Sequence, residues 1–249
     1  MYKEAIKDAI SMHELPSKWQ PDLLAEAQKV TKKKKAAKYR KDLRNLPFAT
    51  IDGADAKDFD DAVYCIKNAS DYKLYVAIAD VSFYVESGSK LDNEAKKRGT
   101  SIYFPGTVVP MLPESLSNGI CSLRPNEDRC SMICEMTISS DGKRKKYKFY
   151  SGLINSKARL TYNQVENHLR DKASKINDAK VRNSIDTLKS LTNLRLKLRN
   201  QRKALEINPK ETILELGKNK EVNNIRIKKS LFAHKMVEEY MLLANESAA

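Results

Sequence analysis

Between Leu46 and Val81 apolar residues recur at strand-like intervals. Leu74, Val76 and Ile78 alternate with Tyr75, Ala77 and Ala79, and both sets are apolar enough for a strand buried on both faces. Ser131 to Ser139 and Lys145 to Ile154 read as two further strands. They join at Asp141-Gly142, a dipeptide suited to the positive-φ positions of a tight hairpin. Ile213 to Leu216 and Ile225 to Ile227 read as another hairpin, around Gly217-Lys218-Asn219.

Elsewhere the period is helical. Residues 1–30 read as a short helix, a break marked by Pro16 and Pro21 with Trp19 between them, and a second helix. Residues 91–98 read as a short helix. The run from Tyr162 to Asn200 reads as mainly helical, with Val181, Ile185, Leu188, Leu191, Leu194 and Leu198 at spacings of three and four. Ser230 to Asn245 is a last helix, with Ala233, Val237, Tyr240 and Ala244 in one stripe and Glu238 and Glu239 beside it. Residues 99–129 hold Pro105, Pro110, Pro113 and Pro125 and read as a long loop, a kind of segment that commonly carries function. Strands and helices that intermix with hairpins predict an α+β fold.

Composition narrows the class. A chain of 249 residues, 41% hydrophobic and 31% charged, can bury a sizeable core. Lys and Arg number 46 against 32 Asp and Glu, a net charge of +14 that favours polyanionic partners or else belongs to solvated lysine-rich faces. The most basic run, Thr31 to Lys41, reads as an exposed tether or a phosphate-contacting arm. Cys65, Cys121, Cys130 and Cys134 form no CxxC pair and have no His at zinc spacing, which predicts buried thiols in a reducing, cytoplasmic setting. No apolar run approaches the roughly 18 residues of a membrane span, so no membrane partner is expected.

Against this basic background stand five carboxylates: Asp52, Asp55, Asp58, Asp60 and Asp61. Four of them, Asp52, Asp58, Asp60 and Asp61, lie between apolar residues that read as core strand. A partly buried carboxylate cluster is costly unless a cation neutralises it. Asp58 and Asp60 share a face if the segment is extended, and Gly53 with Ala54 leaves room for a turn that folds Asp52 back toward Asp60 and Asp61. Hard carboxylate oxygens suit Mg²⁺ or Mn²⁺, which could activate water and neutralise a leaving oxygen in phosphodiester hydrolysis. The plainer alternatives are an acidic surface turn or a calcium loop, although the EF-hand pattern is not met.

The same residues carry a resemblance. Asp42-Leu43-Arg44-Asn45-Leu46-Pro47-Phe48-Ala49-Thr50-Ile51-Asp52-Gly53, followed by Asp58-Phe59-Asp60-Asp61-Ala62, resembles the signature of the ribonuclease II / ribonuclease R catalytic (RNB) domain. Val76-Ala77-Ile78-Ala79-Asp80-Val81-Ser82 continues the likeness, as do Gly99-Thr100-Ser101-Ile102-Tyr103-Phe104-Pro105-Gly106 and Val109-Pro110-Met111-Leu112-Pro113. Leu116-Ser117-Asn118, Cys121-Ser122-Leu123 and Met236-Val237-Glu238-Glu239 extend it further. The chain is most similar to the ribonuclease R branch.

The resemblance implies a mixed, largely antiparallel sheet flanked by helices. It implies residues 1–41 as a helical and basic connector and 42–249 as the N-terminal portion of the catalytic domain. It also implies a processive 3′→5′ exoribonuclease that engages the 3′ end of single-stranded RNA and releases nucleoside 5′-monophosphates with Mg²⁺. The family aspartates fall on Asp52, Asp58, Asp60 and Asp61; Asp52 and Asp61 are associated with metal, Asp60 is critical to the chemistry, and Asp55 is outside the set. Tyr103 matches a tyrosine near the RNA path, and Tyr162 one that packs on the 3′-terminal nucleotide. Glu238 or Glu239 matches a glutamate against the terminal sugar. Ile207 stands where relatives often carry a base-clamping aromatic. The family's second half, with an arginine that stabilises charge on the scissile phosphate, is expected to lie outside this sequence. That expectation leaves a catalytically inactive RNA-binding fragment as the alternative.

Overall fold

The computed structural model describes residues 2–32, 39–170, 175–204, 212–217, 222–227 and 229–249. In chain order the elements are α1 (Tyr2–Met12), α2 (Pro21–Thr31), β1 (Lys41–Asp42), β2 (Ala49–Asp52), β3 (Asp61–Asn68) and β4 (Asp71–Ala79). There follow α3 (Val81–Tyr84), α4 (Lys90–Arg98), β5 (Ile102–Phe104), β6 (Thr107–Val109), a π-helical turn at Ser115–Ile120, β7 (Asp128–Ile138), β8 (Arg144–Asn155) and β9 (Ala158–Thr161). Last come α5 (Tyr162–Leu169), α6 (Ala179–Gln201), β10 (Thr212–Leu216), β11 (Val222–Ile227) and α7 (Phe232–Ala248). The fold is α+β. The residues gather into two compact units, Met1–Lys33 with Tyr84–Ser117 and Glu206–Lys229, and Lys34–Phe83 with Asn118–Leu205 and Ser230–Ala249.

In the smaller unit Pro21 opens α2, where its fixed φ and missing N–H cost nothing. Ser89 caps α4 by accepting from the Asp92 N–H, and Gly99 ends it at φ +72. Arg98 lies 3.5 Å over the Trp19 ring and donates to the Lys18 and Pro110 carbonyls, so Trp19 anchors α4 rather than merely marking a break. The segment expected to be loop contains the β5–β6 hairpin; of the other expected hairpin, β10 and β11 pair antiparallel with Thr212 opposite Ile227, while Lys218 and Asn219 of its turn lie outside the described residues.

The larger unit is built on a seven-stranded sheet in the order β1-β8-β7-β4-β3-β2-β9. Neighbours are antiparallel except β1 with β8 and β2 with β9, which are parallel. One sheet face carries Ala49, Ile51, Val63, Cys65, Leu74, Val76, Cys134 and Met136 and packs on apolar faces of α5, α6 and α7. The Asp141-Gly142 turn forms as expected, with Gly142 at φ +86. The mainly helical run from Tyr162 to Asn200 is two helices: α5 ends at Leu169, and Asp178 starts α6 by accepting from the Lys180 and Val181 N–H groups. All four cysteines are buried free thiols. Among the described residues no helix is long and apolar enough to cross a membrane.

Candidate active site

The site begins with strand register. Parallel pairing of β2 with β9 sets Asp52 opposite Thr161. Thr161 is the N-cap of α5, where its hydroxyl accepts from the Gln164 N–H while Gln164 Oε1 accepts from the Thr161 N–H. The carboxylate that ends β2 therefore stands beside the start of α5, whose first residue is Tyr162.

After Asp52 the chain turns. Asp52 Oδ1 accepts from the Gly53 N–H at 2.6 Å, and the Ala56 N–H reaches back to the Gly53 carbonyl at 3.3 Å. Residues 56–60 then run without regular pairing before β3 starts at Asp61. This irregular path is why the aspartates do not follow simple strand alternation. It is braced from outside. Ser122 Oγ accepts from the Phe59 N–H at 3.0 Å and donates to the Lys57 carbonyl at 2.9 Å. The Leu123 N–H donates to the Phe59 carbonyl, and the Ala79 N–H to that of Asp60. Phe59 is buried, Asp58 half-buried and Asp60 exposed. Arg159, on β9, donates to the Gly53 and Ala54 carbonyls at 2.9 and 2.5 Å and sits 5.5 Å over the Phe59 ring. One guanidinium thus joins the two ends of the aspartate loop.

The carboxylates interact. Although the Asp60 side chain still reaches solvent, desolvation by the surrounding protein, then the charges of Asp58 and Asp52, pushes it up to about 6. Burial, then Asp52 and Asp60, pushes Asp61 up to about 7. These shifts bring together the four aspartates picked out from sequence, while Asp55 is exposed on the turn. Among the described residues no group of three or more His, Cys, Asp or Glu side chains is placed to hold a metal ion. Mg²⁺ needs none, since it keeps several waters and takes one or two carboxylates together with substrate phosphate oxygens. Hard oxygen donors of which Asp60 and Asp61 bear a charge disfavoured by burial and then by their neighbours fit an ion of that kind.

Tyr162 joins the cluster. Burial, then the charges of Asp52 and Asp61, pushes its hydroxyl up to about 12. Its ring stacks on His234, the third residue of α7, with centroids 4.1 Å apart and planes at 24°. One turn further along α5, buried Glu166 accepts from the Ala233 N–H at 3.1 Å and pairs with Arg170.

The remaining expected site residues have neighbours of their own. Tyr103 is exposed in β5, opposite Val108, in the smaller unit. Glu239 is 1% exposed and pairs with Arg199 at 2.8 Å and Arg195 at 3.7 Å, and half-exposed Glu238 shares Arg199. Both glutamates thus tie α7 to α6. Ile207 and residues 33–38 of the basic run lie outside the described residues. Arg159, Ser122 and His234 were not picked out as site residues from sequence. Arg159 and Ser122 act on backbone groups far away in the chain, and such targets leave no trace in residue type.

The profile of the RNB domain matches residues 40–249. Ribonuclease R of Escherichia coli (strain K12) is 43% identical over 98% of this chain, and the chain spans 31% of that relative's length. The solved structure of Mycoplasma genitalium RNase R in complex with ribose methylated single-stranded RNA has TM-score 0.93 and 35% identity, covering 98% of this chain and 38% of that one. At the level of fold alone, yeast Ssd1, described as a pseudonuclease, has TM-score 0.63 at 18% identity over 82% of this chain and 25% of its own.

Proposed function

The chain belongs to the RNB-domain family, and on that premise we propose that it carries the acidic part of a 3′→5′ exoribonuclease site releasing nucleoside 5′-monophosphates. The convergence of Asp52, Asp58, Asp60 and Asp61 at the end of β2, on a chain of net charge +14, carries the reading. The charge suits a phosphate backbone, and the acidic cluster reverses its sign locally. Mg²⁺, when bound, would supply charge neutralisation and an activated water. Asp52, Asp58, Asp60 and Asp61 would hold it. Arg159 and Ser122 keep the loop that presents these carboxylates in one shape. Tyr162, beside Asp52 and Asp61, offers an aromatic surface to the 3′-terminal nucleotide, a contact that tolerates any base. Any contact of Glu239 with RNA would have to displace Arg199. Buried free thiols are in keeping with action in the cytoplasm.

The test is release of mononucleotides from single-stranded RNA with Mg²⁺, compared with Asp60→Asn. Loss of release in the variant is expected, and undiminished release would refute the reading. A second reading, RNA binding without cleavage, is favoured by the net charge of +14, which by itself calls for a polyanionic partner and no chemistry. It requires salt-sensitive binding of RNA with no nucleotide released by this chain at any Mg²⁺ concentration.

A further inference from the structure

Tyr162 and Glu166 are four residues apart and so share a face of α5. Each meets the start of α7: Tyr162 through the ring of His234, and Glu166 through the backbone N–H of Ala233. His234 is itself fixed, because its Nδ1 accepts from the Leu231 N–H at 3.0 Å. That acceptance needs a lone pair on Nδ1, so the neutral ring carries its proton on Nε2. The imidazole is therefore held by the backbone at one end of the ring and lies flat against Tyr162 over its face. An aromatic ring has two faces, and His234 occupies one of them. Tyr162 remains partly exposed.

We propose that His234 is a positioning residue for the terminal nucleotide: it backs the Tyr162 ring, which also packs against the core, and leaves the part of the ring that stays exposed as the stacking surface for the 3′-terminal base. The proposal rests on the reading of Tyr162 as the terminal-nucleotide contact. A tyrosine free to turn about χ1 and χ2 would lose side-chain freedom each time a base stacked on it, and a ring already clamped does not. The stack on His234 and the tie of Glu166 to Ala233 together make the α5–α7 junction the rigid support of that platform.

The test needs no turnover. The affinity of the chain for an oligoadenylate with an intact 3′-terminal adenosine is compared with that for one ending in an abasic ribose. Fluorescence anisotropy reads the affinities, with Ca²⁺ in place of Mg²⁺ and oligonucleotide length checked afterwards. Stacking of one base predicts a preference for the intact end of roughly 5- to 100-fold. Tyr162→Ala should abolish it. His234→Ala should bring it within about twofold of the Tyr162→Ala value, the double variant should be no worse, and His234→Phe, which keeps a flat ring, should retain most of it. Preference lost in Tyr162→Ala but kept in His234→Ala overturns the inference alone. So does loss in His234→Phe at an unchanged melting temperature, since the ring stack would then not be what matters. Equal preference in wild type and Tyr162→Ala overturns the reading of Tyr162, and the inference with it.

Discussion

Replacing Asp61 by Asn should make the metal-free protein more stable while disabling its site. The carboxyl of Asp61 is pushed from 3.8 to about 7, by burial first and then by Asp52 and Asp60. The native state therefore holds this proton more tightly than the unfolded chain does. Below about pH 4 both states are protonated and stability is intact. As pH rises from about 4 to about 7 the unfolded chain ionises first, so stability falls across that window and stays low above it. A shift of about three units at about 1.4 kcal/mol each sets a ceiling near 4 kcal/mol. Asp61 is half-buried and shares its repulsion with two neighbours, so solvent screening and their relaxation reduce the figure to about 1–2 kcal/mol. For a domain of this size that corresponds to a rise of about 2–8 °C in melting temperature. The assay is thermal unfolding of wild type and Asp61→Asn without divalent metal, at pH 4 and pH 8. The gain should be present at pH 8, absent at pH 4, and narrowed by saturating Mg²⁺, which stabilises the wild type by mass action. A destabilised variant at pH 8, or an equal gain at both pH values, would refute the reasoning.

Arg159→Ala should cost about 1–3 kcal/mol through two lost charge-assisted bonds, and should weaken Mg²⁺ binding by calorimetry; Arg159→Lys should recover little, since one ammonium cannot span both carbonyls and the Phe59 ring. At Gly152 an added Cβ would lie 2.6 Å from Cγ1 of fully buried Ile133. Gly152→Ala should therefore lower stability by about 1–3 kcal/mol in urea unfolding. Glu166→Ala removes the acceptor of the Ala233 N–H and should speed hydrogen exchange there, read by mass spectrometry, more than at the C-terminal end of α7.

Much of the fold can be read from the chain because its signals are local. In Asp141-Gly142 the glycine takes the positive φ of a tight turn at little cost, and the spacing of Val181, Ile185, Leu188 and Leu191 buries one helical stripe whatever covers it. The start of α6 is not legible in the chain because Asp178 serves equally well inside a polar helical face or as an N-cap, and only the backbone decides. The site divides in the same way. Asp52, Asp58, Asp60 and Asp61 declare themselves by density of charge. Arg159 does not, because it bonds carbonyls that every residue possesses. His234 was one of three scattered histidines until α5 and α7 were packed. Residue type identifies groups that need an unusual partner, and packing identifies those that supply an ordinary one.

The braces of the aspartate loop also bear on folding kinetics. Ser122 meets Phe59 across 63 residues of chain, and Arg159 meets Gly53 across 106. Contacts of such separation close late, after most of the loop entropy has been spent. Until they close, the four carboxylates are solvated, and water and salt screen most of their mutual repulsion. Their repulsion therefore raises the native state and leaves the transition state nearly untouched, so it acts on the rate of unfolding rather than of folding. A divalent ion that removes the repulsion would act as a kinetic latch, lengthening the lifetime of the folded unit without hastening its formation.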